Sequence, residues 1–476
     1  MARVRSGERR RTRARRERRR EARRAFARAR RGPTGGSVAK VEVGTLTARD
    51  VEGVVERLAA FLDPYRALMG WKPRQGHLTT FLQGLLSDLE RKSVEPIAVA
   101  QGFERDLLQH FIGVSRWDDQ PLLARLRAEV ASDLGDPEGV FVVDGSGVPK
   151  SGTESVGVAR QWCGRLGKVE NCQVGVYVAY AGQGACTLID RRLYLPRPWA
   201  ADSARRTKGH VPEDVAFKTG WQLALAMVRA CRKTMPVKWV VGDDEFGRPT
   251  RFRDGVAAMG LRYLMEVPSN VVVRKVRRRG AGRPPTWHRL PACVQRIPVR
   301  DWARFTLRNG DKGPIEVRAA IRRVETRRRT ATRPETLLVV EALDGSRRWY
   351  FVTNAPLRTG VATLVDVAAK RNLIEQAFSL GKGAVGLDHY EVRTWQGWHH
   401  HTACALIAQW FLVREQRRLG KKSTTPDGTD GGLHRQRDAA PATHSFRHRA
   451  PLPLPTPPQR GRPTRPMEGQ GARSPA

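Results

Sequence analysis

Three acidic residues stand far apart in this sequence, each at a place where a carboxylate could do chemistry. Asp144 closes the apolar run 139–143, Asp243 closes the run 237–242, and Glu375 lies in the helical-looking segment 371–378. Two strand-end aspartates and one helix glutamate are a donor set for a pair of divalent metal ions. Such a pair clamps the attacking and leaving oxygens of a phosphodiester during an in-line displacement. Asp244 and Glu245 adjoin Asp243, so the register of the second acid stays open. Clustered carboxylates repel one another unless a cation is present, which favours a metal site.

The charge of the chain points to the substrate. Its 476 residues carry a formal charge of +39. Residues 1–32 hold 16 Arg and 3 Glu, a net +13, which leaves +26 for the rest. An excess of Lys and Arg on a folded body is an electrostatic footprint for polyphosphate, so nucleic acid is the expected partner. The six cysteines are scattered without a C-x-x-C pair, which reads as a reducing compartment with neither zinc site nor disulfide framework. No apolar run approaches the roughly 18 residues of a membrane span. No G-x-x-x-x-G-K-[ST] is present, so no ATP use is expected.

The elements that must position the acids follow from periodicity. Residues 1–40 read as a disordered Arg-rich arm. Residues 41–135 read as a helical DNA-binding domain, with apolar stripes such as Leu82, Leu85, Leu86 and Leu89, and basic residues Arg66, Lys72, Arg74, Arg91 and Lys92 between them. Strand-like runs at 139–144, 172–180, 186–195, 237–243 and 261–267, with helices at 214–232 and 249–259, make 136–269 the first part of a catalytic core. Residues 270–353 alternate in short runs and read as an antiparallel β insertion. Residues 354–419 return to the core with helices at 361–381 and 398–418. Residues 420–476 contain 10 of the 30 prolines and read as a disordered tail. The predicted fold is α/β, an RNase H-like mixed sheet with acids on the first strand, the fourth strand and a late helix.

Longer segments carry a resemblance. FVVDGSGVPKSG (141–152), RRLYLPRPW (191–199), VVGDDEFG (240–247), RWYFVTNAP (348–356) and NLIEQAFSLGKGAVGLDHYEVRTWQGWHHH (372–401) are similar to DDE transposases of bacterial insertion sequences, in the branch with a β-strand insertion before the last catalytic helix. The likeness covers roughly residues 50–418. It implies that Asp144, Asp243 and Glu375 are the catalytic and metal-holding acids, with two Mg²⁺ ions and Mn²⁺ as a substitute. It further implies that Arg371 and Lys382 on the Glu375 helix hold phosphates of the DNA end. Two positions depart from the family pattern: Asn372 replaces a Trp and Ala368 replaces a Tyr, both of which grip DNA in relatives.

Arg160, Arg165 and Lys168 are expected in a basic loop beside Asp144, touching the scissile strand. His399, His400 and His401 are consecutive, so they point in three directions and are expected to face DNA or cap rather than chelate metal. Trp395 and Trp398 are expected to pack under the active-site helix. The expected function is metal-dependent cleavage and strand transfer at the terminal inverted repeats of an insertion sequence and into target DNA, by a homodimer on DNA, in a bacterial cytoplasm and associated with the nucleoid. The alternatives are a decayed or domesticated DNA-binding protein, or an RNase H-like nuclease without strand transfer.

Overall fold

Val140–Val143 is buried on both faces, as expected of a run with no polar alternation that must lie inside a covered sheet. In the computed structural model, which describes residues 52–276, 285–306, 316–328 and 331–420, this run begins the central strand. The Arg-rich arm and residues 421–476 of the Pro-rich tail lie outside the described residues.

The strands are β1 (Val140–Pro149), β2 (Ala159–Cys163), β3 (Lys168–Gly182), β4 (Ala185–Leu193), β5 (Trp239–Gly242), β6 (Arg262–Glu266), β7 (Val272–Lys275), β8 (His288–Arg289), β9 (Ala303–Thr306), β10 (Glu316–Arg327), β11 (Thr332–Ala342) and β12 (Arg348–Thr353). They form one mixed sheet in the order β2-β3-β1-β5-β6-β12-β11-β10-β7-β8, with β4 also on β3 and β9 also on β10. Around the centre the order is β4-β3-β1-β5-β6. There β3 is antiparallel to β1 and β4, while β5 and β6 run parallel to β1. The segment expected as a β insertion therefore does not stand apart. Its last strand, β12, pairs with β6 and carries the core sheet onward. Its own small core, including Val273, Leu290, Val324, Leu337 and Val352, lies apart from the main one.

Five helices span residues 54–134. They share one continuous apolar core with the sheet, joined through the long helix Trp395–Gly420. That helix is buried from Gly397 to Phe411, hence on all sides, because it runs between the N-terminal helices and β4. Lys92, read as one of the basic residues between the apolar stripes, is buried. Its ammonium donates to the carbonyls of Leu85, Ser87 and Ala384, and so ties the N-terminal helices to the helix that carries Glu375.

Two helices differ from expectation for local reasons. The helix expected at 214–232 runs only Gly220–Cys231, because Thr219 and Gln222 form a capping box that starts it there. The helix expected at 361–381 is two, Val361–Lys370 and Leu373–Val385, with Arg371 and Asn372 in the turn between them.

Candidate active site

The sheet register assembles the site. Val143 pairs with Gly242 in the β1–β5 ladder, and Gly242 pairs with Met265 in the β5–β6 ladder. The residues that follow are Asp144, Asp243 and Glu266. Three acids thus stand level on three adjacent strands, about 4.8 Å apart from strand to strand. Asp144 and Asp243 are both buried. An Asp144 oxygen accepts the Gly145 N–H at 2.7 Å. An Asp243 oxygen accepts the Glu245 N–H at 3.0 Å and so caps the helical turn Asp244–Gly247. Of the neighbouring acids, Asp244 pairs with Arg248 at 3.2 Å, and the exposed Glu245 places an oxygen 3.9 Å from where a Cβ on Gly145 would stand.

Arg371 binds the row together. Its guanidinium lies 3.5 Å from Glu266, 3.9 Å from Asp243 and 3.6 Å from Glu375. Burial alone would lower its pKa, but Glu266, Asp243, Asp144 and Glu375 together raise it above the ordinary arginine value. Its side chain is 13% exposed, against 62% for Glu375. Glu375 therefore reaches the site from the solvent side, while Arg371 fills the space between the acids. Glu266 is raised as well, but by burial, opposed by Arg371 and assisted by Asp243 and Asp244.

A second group of charges adjoins Asp144. Burial depresses the Lys382 ammonium below the usual lysine range, with Asp388 and Asp144 opposing and Arg165 assisting. Arg165 pairs with the buried Asp388 carboxylate at 2.6 Å. This side of the site is a cationic rim held in place by one acid.

A family model described as DDE superfamily endonuclease matches residues 65–333. The chain belongs to that superfamily. The matched stretch contains Asp144 and Asp243 and ends before Glu375. A probable transposase for insertion sequence element IS701 from Microchaete diplosiphon is 29% identical over 195 residues, which covers 39% of this chain. The chain spans about half the length of that relative, 47%. A cryo-EM structure of a piggyBac transposase synaptic complex with hairpin DNA superposes loosely. Its TM-score is 0.37 at 10% identity, over 79% of this chain and 75% of that one.

Within this DDE endonuclease framework the sequence-derived residues divide cleanly. Arg371 meets Asp243 and Glu375 and lies within electrostatic range of Asp144, which lies within range of Lys382, while Arg165 pairs with Asp388 beside Lys382. Arg160 and Lys168 do not lie in a loop as expected. They are on β2 and β3, where both face Glu170, at 3.9 and 2.8 Å. The histidines face the interior rather than DNA. His399 bonds the Trp395 carbonyl, His400 those of Ile112 and Trp117, and His401 that of Gly386. Trp398 is buried as a packing residue.

Glu266 and Asp388 were missed by the sequence reading. Glu266 had a signal, since it ends an apolar strand run as Asp243 does. Asp388 had none beyond its nearness to Lys382.

The donor set suits a hard dication, because every candidate ligand is a carboxylate oxygen. Four acids around one buried guanidinium also leave a local excess of negative charge. Among the described residues, no three His, Cys, Asp or Glu side chains are close enough together to hold a metal ion. Arg371 stands where they would converge. No helix among the described residues is long and apolar enough to cross a membrane.

Proposed function

We propose that this chain is a DNA transposase that cleaves and joins strands at the ends of an insertion sequence. The observation that carries the reading is the parallel register placing Asp144 beside Asp243, with Glu375 reaching the same guanidinium as Asp243. The strand order β4-β3-β1-β5-β6 supports an RNase H-like core. The printed name of the 29% identical relative points the same way.

Asp144, Asp243 and Glu375 would hold two divalent ions, Mg²⁺ by preference and Mn²⁺ as a substitute. When bound, such ions activate a hydroxyl nucleophile and neutralise charge on the phosphodiester oxygens. The protein supplies the rest. Lys382 and Arg165 present positive charge beside Asp144, where a backbone phosphate of the DNA end would lie. Burial of Asp144 and Asp243 limits competing water. Two element ends must meet for strand transfer, so a homodimer on DNA is the working assembly. Nothing in this scheme draws on ATP.

The test is incubation of the protein with labelled element ends and Mg²⁺. Nicked ends together with joined products support the reading. Nicks without joining make the protein a nuclease, and DNA binding without nicks overturns catalysis.

A further inference from the structure

Arg371 stands where a cation between Asp243 and Glu375 would have to enter. Two positive charges cannot share that space, so the guanidinium needs another counter-ion when a cation arrives. Glu266 is placed to serve. It is level with Asp243 on the neighbouring parallel strand, and it lies 3.5 Å from Arg371 Nε, whereas Glu375 meets Nη1. That Nε is buried and makes no hydrogen bond in this structure, so it has bonding capacity in reserve. Glu266 is itself held by the sheet, through its pairing with Phe351 of β12. Arg347, just before β12, lies within electrostatic range of both Glu266 and Arg371.

We infer that Glu266 is a positioning residue that takes over Arg371 and so lets Asp243 and Glu375 close on a divalent cation. This rests on the metal-dependent reading above. Without Glu266 the guanidinium has only the cation's own ligands to pair with, and the two compete. With Glu266 it can withdraw towards β6 while remaining neutralised. Glu266 then acts on the cation through Arg371, not by contact with it.

The test uses the full chain and Mn²⁺ alone, with binding followed by calorimetry or by the paramagnetic signal of free Mn²⁺. E266Q, nearly isosteric, is expected to weaken Mn²⁺ binding about tenfold, a coupling of ordinary size for charges in contact. The same substitution in an R371Q background is expected to change it by less than about twofold, because the residue it acts through is gone. E266D, which keeps the charge and retracts it by one methylene, should give an intermediate loss, again only with Arg371 present. It carries the test if E266Q does not fold. Equal weakening in both backgrounds would mean that Glu266 acts on the cation directly, and would overturn the inference. So would unchanged binding in E266Q alongside lost binding in D243N, which would leave the metal site itself standing. If D243N binds Mn²⁺ as the unaltered chain does, the metal reading fails and the inference with it.

Discussion

Asp144 and Asp243 stand side by side, because Val143 and Gly242, the residues before them, are partners in a parallel ladder; β5 ends there, whereas β1 runs on and pairs Asp144 with Tyr177 of β3. The pairing of two short apolar strands is sufficient.

Removal of either carboxylate should separate catalysis from binding. Asp144→Asn and Asp243→Asn should each lower cleavage by more than the roughly 100-fold typical of losing an outer-shell partner of a metal. DNA affinity measured without metal should hold or rise, since a charge that repels phosphate is gone. Gel-shift and nicking assays on the same preparations check this. Affinity that falls together with cleavage would make the two residues structural.

Two glycines near the acids should respond oppositely to alanine. A Cβ on Gly247 would meet the Glu266 carbonyl oxygen at 1.7 Å, so the backbone must move. Gly247→Ala should cost roughly 1–3 kcal/mol of stability and disturb the turn that Asp243 caps. A Cβ on Gly145 meets nothing nearer than 3.9 Å. Gly145→Ala should leave the melting temperature almost unchanged, and calorimetric melts of the two variants will separate them.

Lys92 offers a test of how firmly the helix of Glu375 is held. Lys92→Met leaves three carbonyls, one buried and two part-buried, without this donor. The expected loss is roughly 1–3 kcal/mol, the cost of leaving hydrogen-bond acceptors without their donor. Hydrogen exchange should show faster opening at the Val385 end of that helix. A variant with unaltered stability and exchange would show the contact to be incidental.

The buried histidines set an acid limit on stability. Burial lowers His399 to about 3 and His401 to about 4. Their folded pKa values lie below the unfolded value of about 6.5, so the unfolded chain binds more protons between those limits. Stability should therefore be full above about pH 6.5 and fall as pH drops towards 4, by up to about 1.4 kcal/mol per pH unit for each histidine. His401→Gln should have a shallower slope of melting temperature against pH across this window. Parallel slopes would show that His401 does not titrate on unfolding.

The Arg-rich N-terminus makes a prediction from charge alone. Deleting residues 1–33 removes 16 arginines and 3 glutamates. DNA binding should weaken without loss of sequence preference, and its dependence on salt should flatten, because fewer counterions are released. Binding isotherms at several salt concentrations decide it. An unchanged slope would mean that the segment does not touch DNA.

Much of the site was legible in the sequence. Asp144 and Asp243 announce themselves because apolar runs without alternation mark buried strands, and an acid closing such a run is conspicuous; the run ends the strand at Asp243, but β1 continues past Asp144 to Pro149. Glu375 emerged from the segments around it. The helices of 54–134 were readable from their apolar spacing, because side-chain periodicity records which face is buried.

What the sequence could not express is which strands are neighbours. Sheet pairing is made by backbone N–H and C=O groups that nearly every residue carries, so side-chain type says little about lateral order. That order alone puts Glu266 beside Asp243, and joins β12 to β6 so that the expected insertion continues the core sheet. It also turns Arg371, read as a phosphate-binding residue on a helix face, into a buried cation shared by acids from three elements. The three histidines follow the same logic. Their sequence shows three polar side chains in a row, but only the packing of a helix enclosed on all sides makes them interior groups bonded to carbonyls.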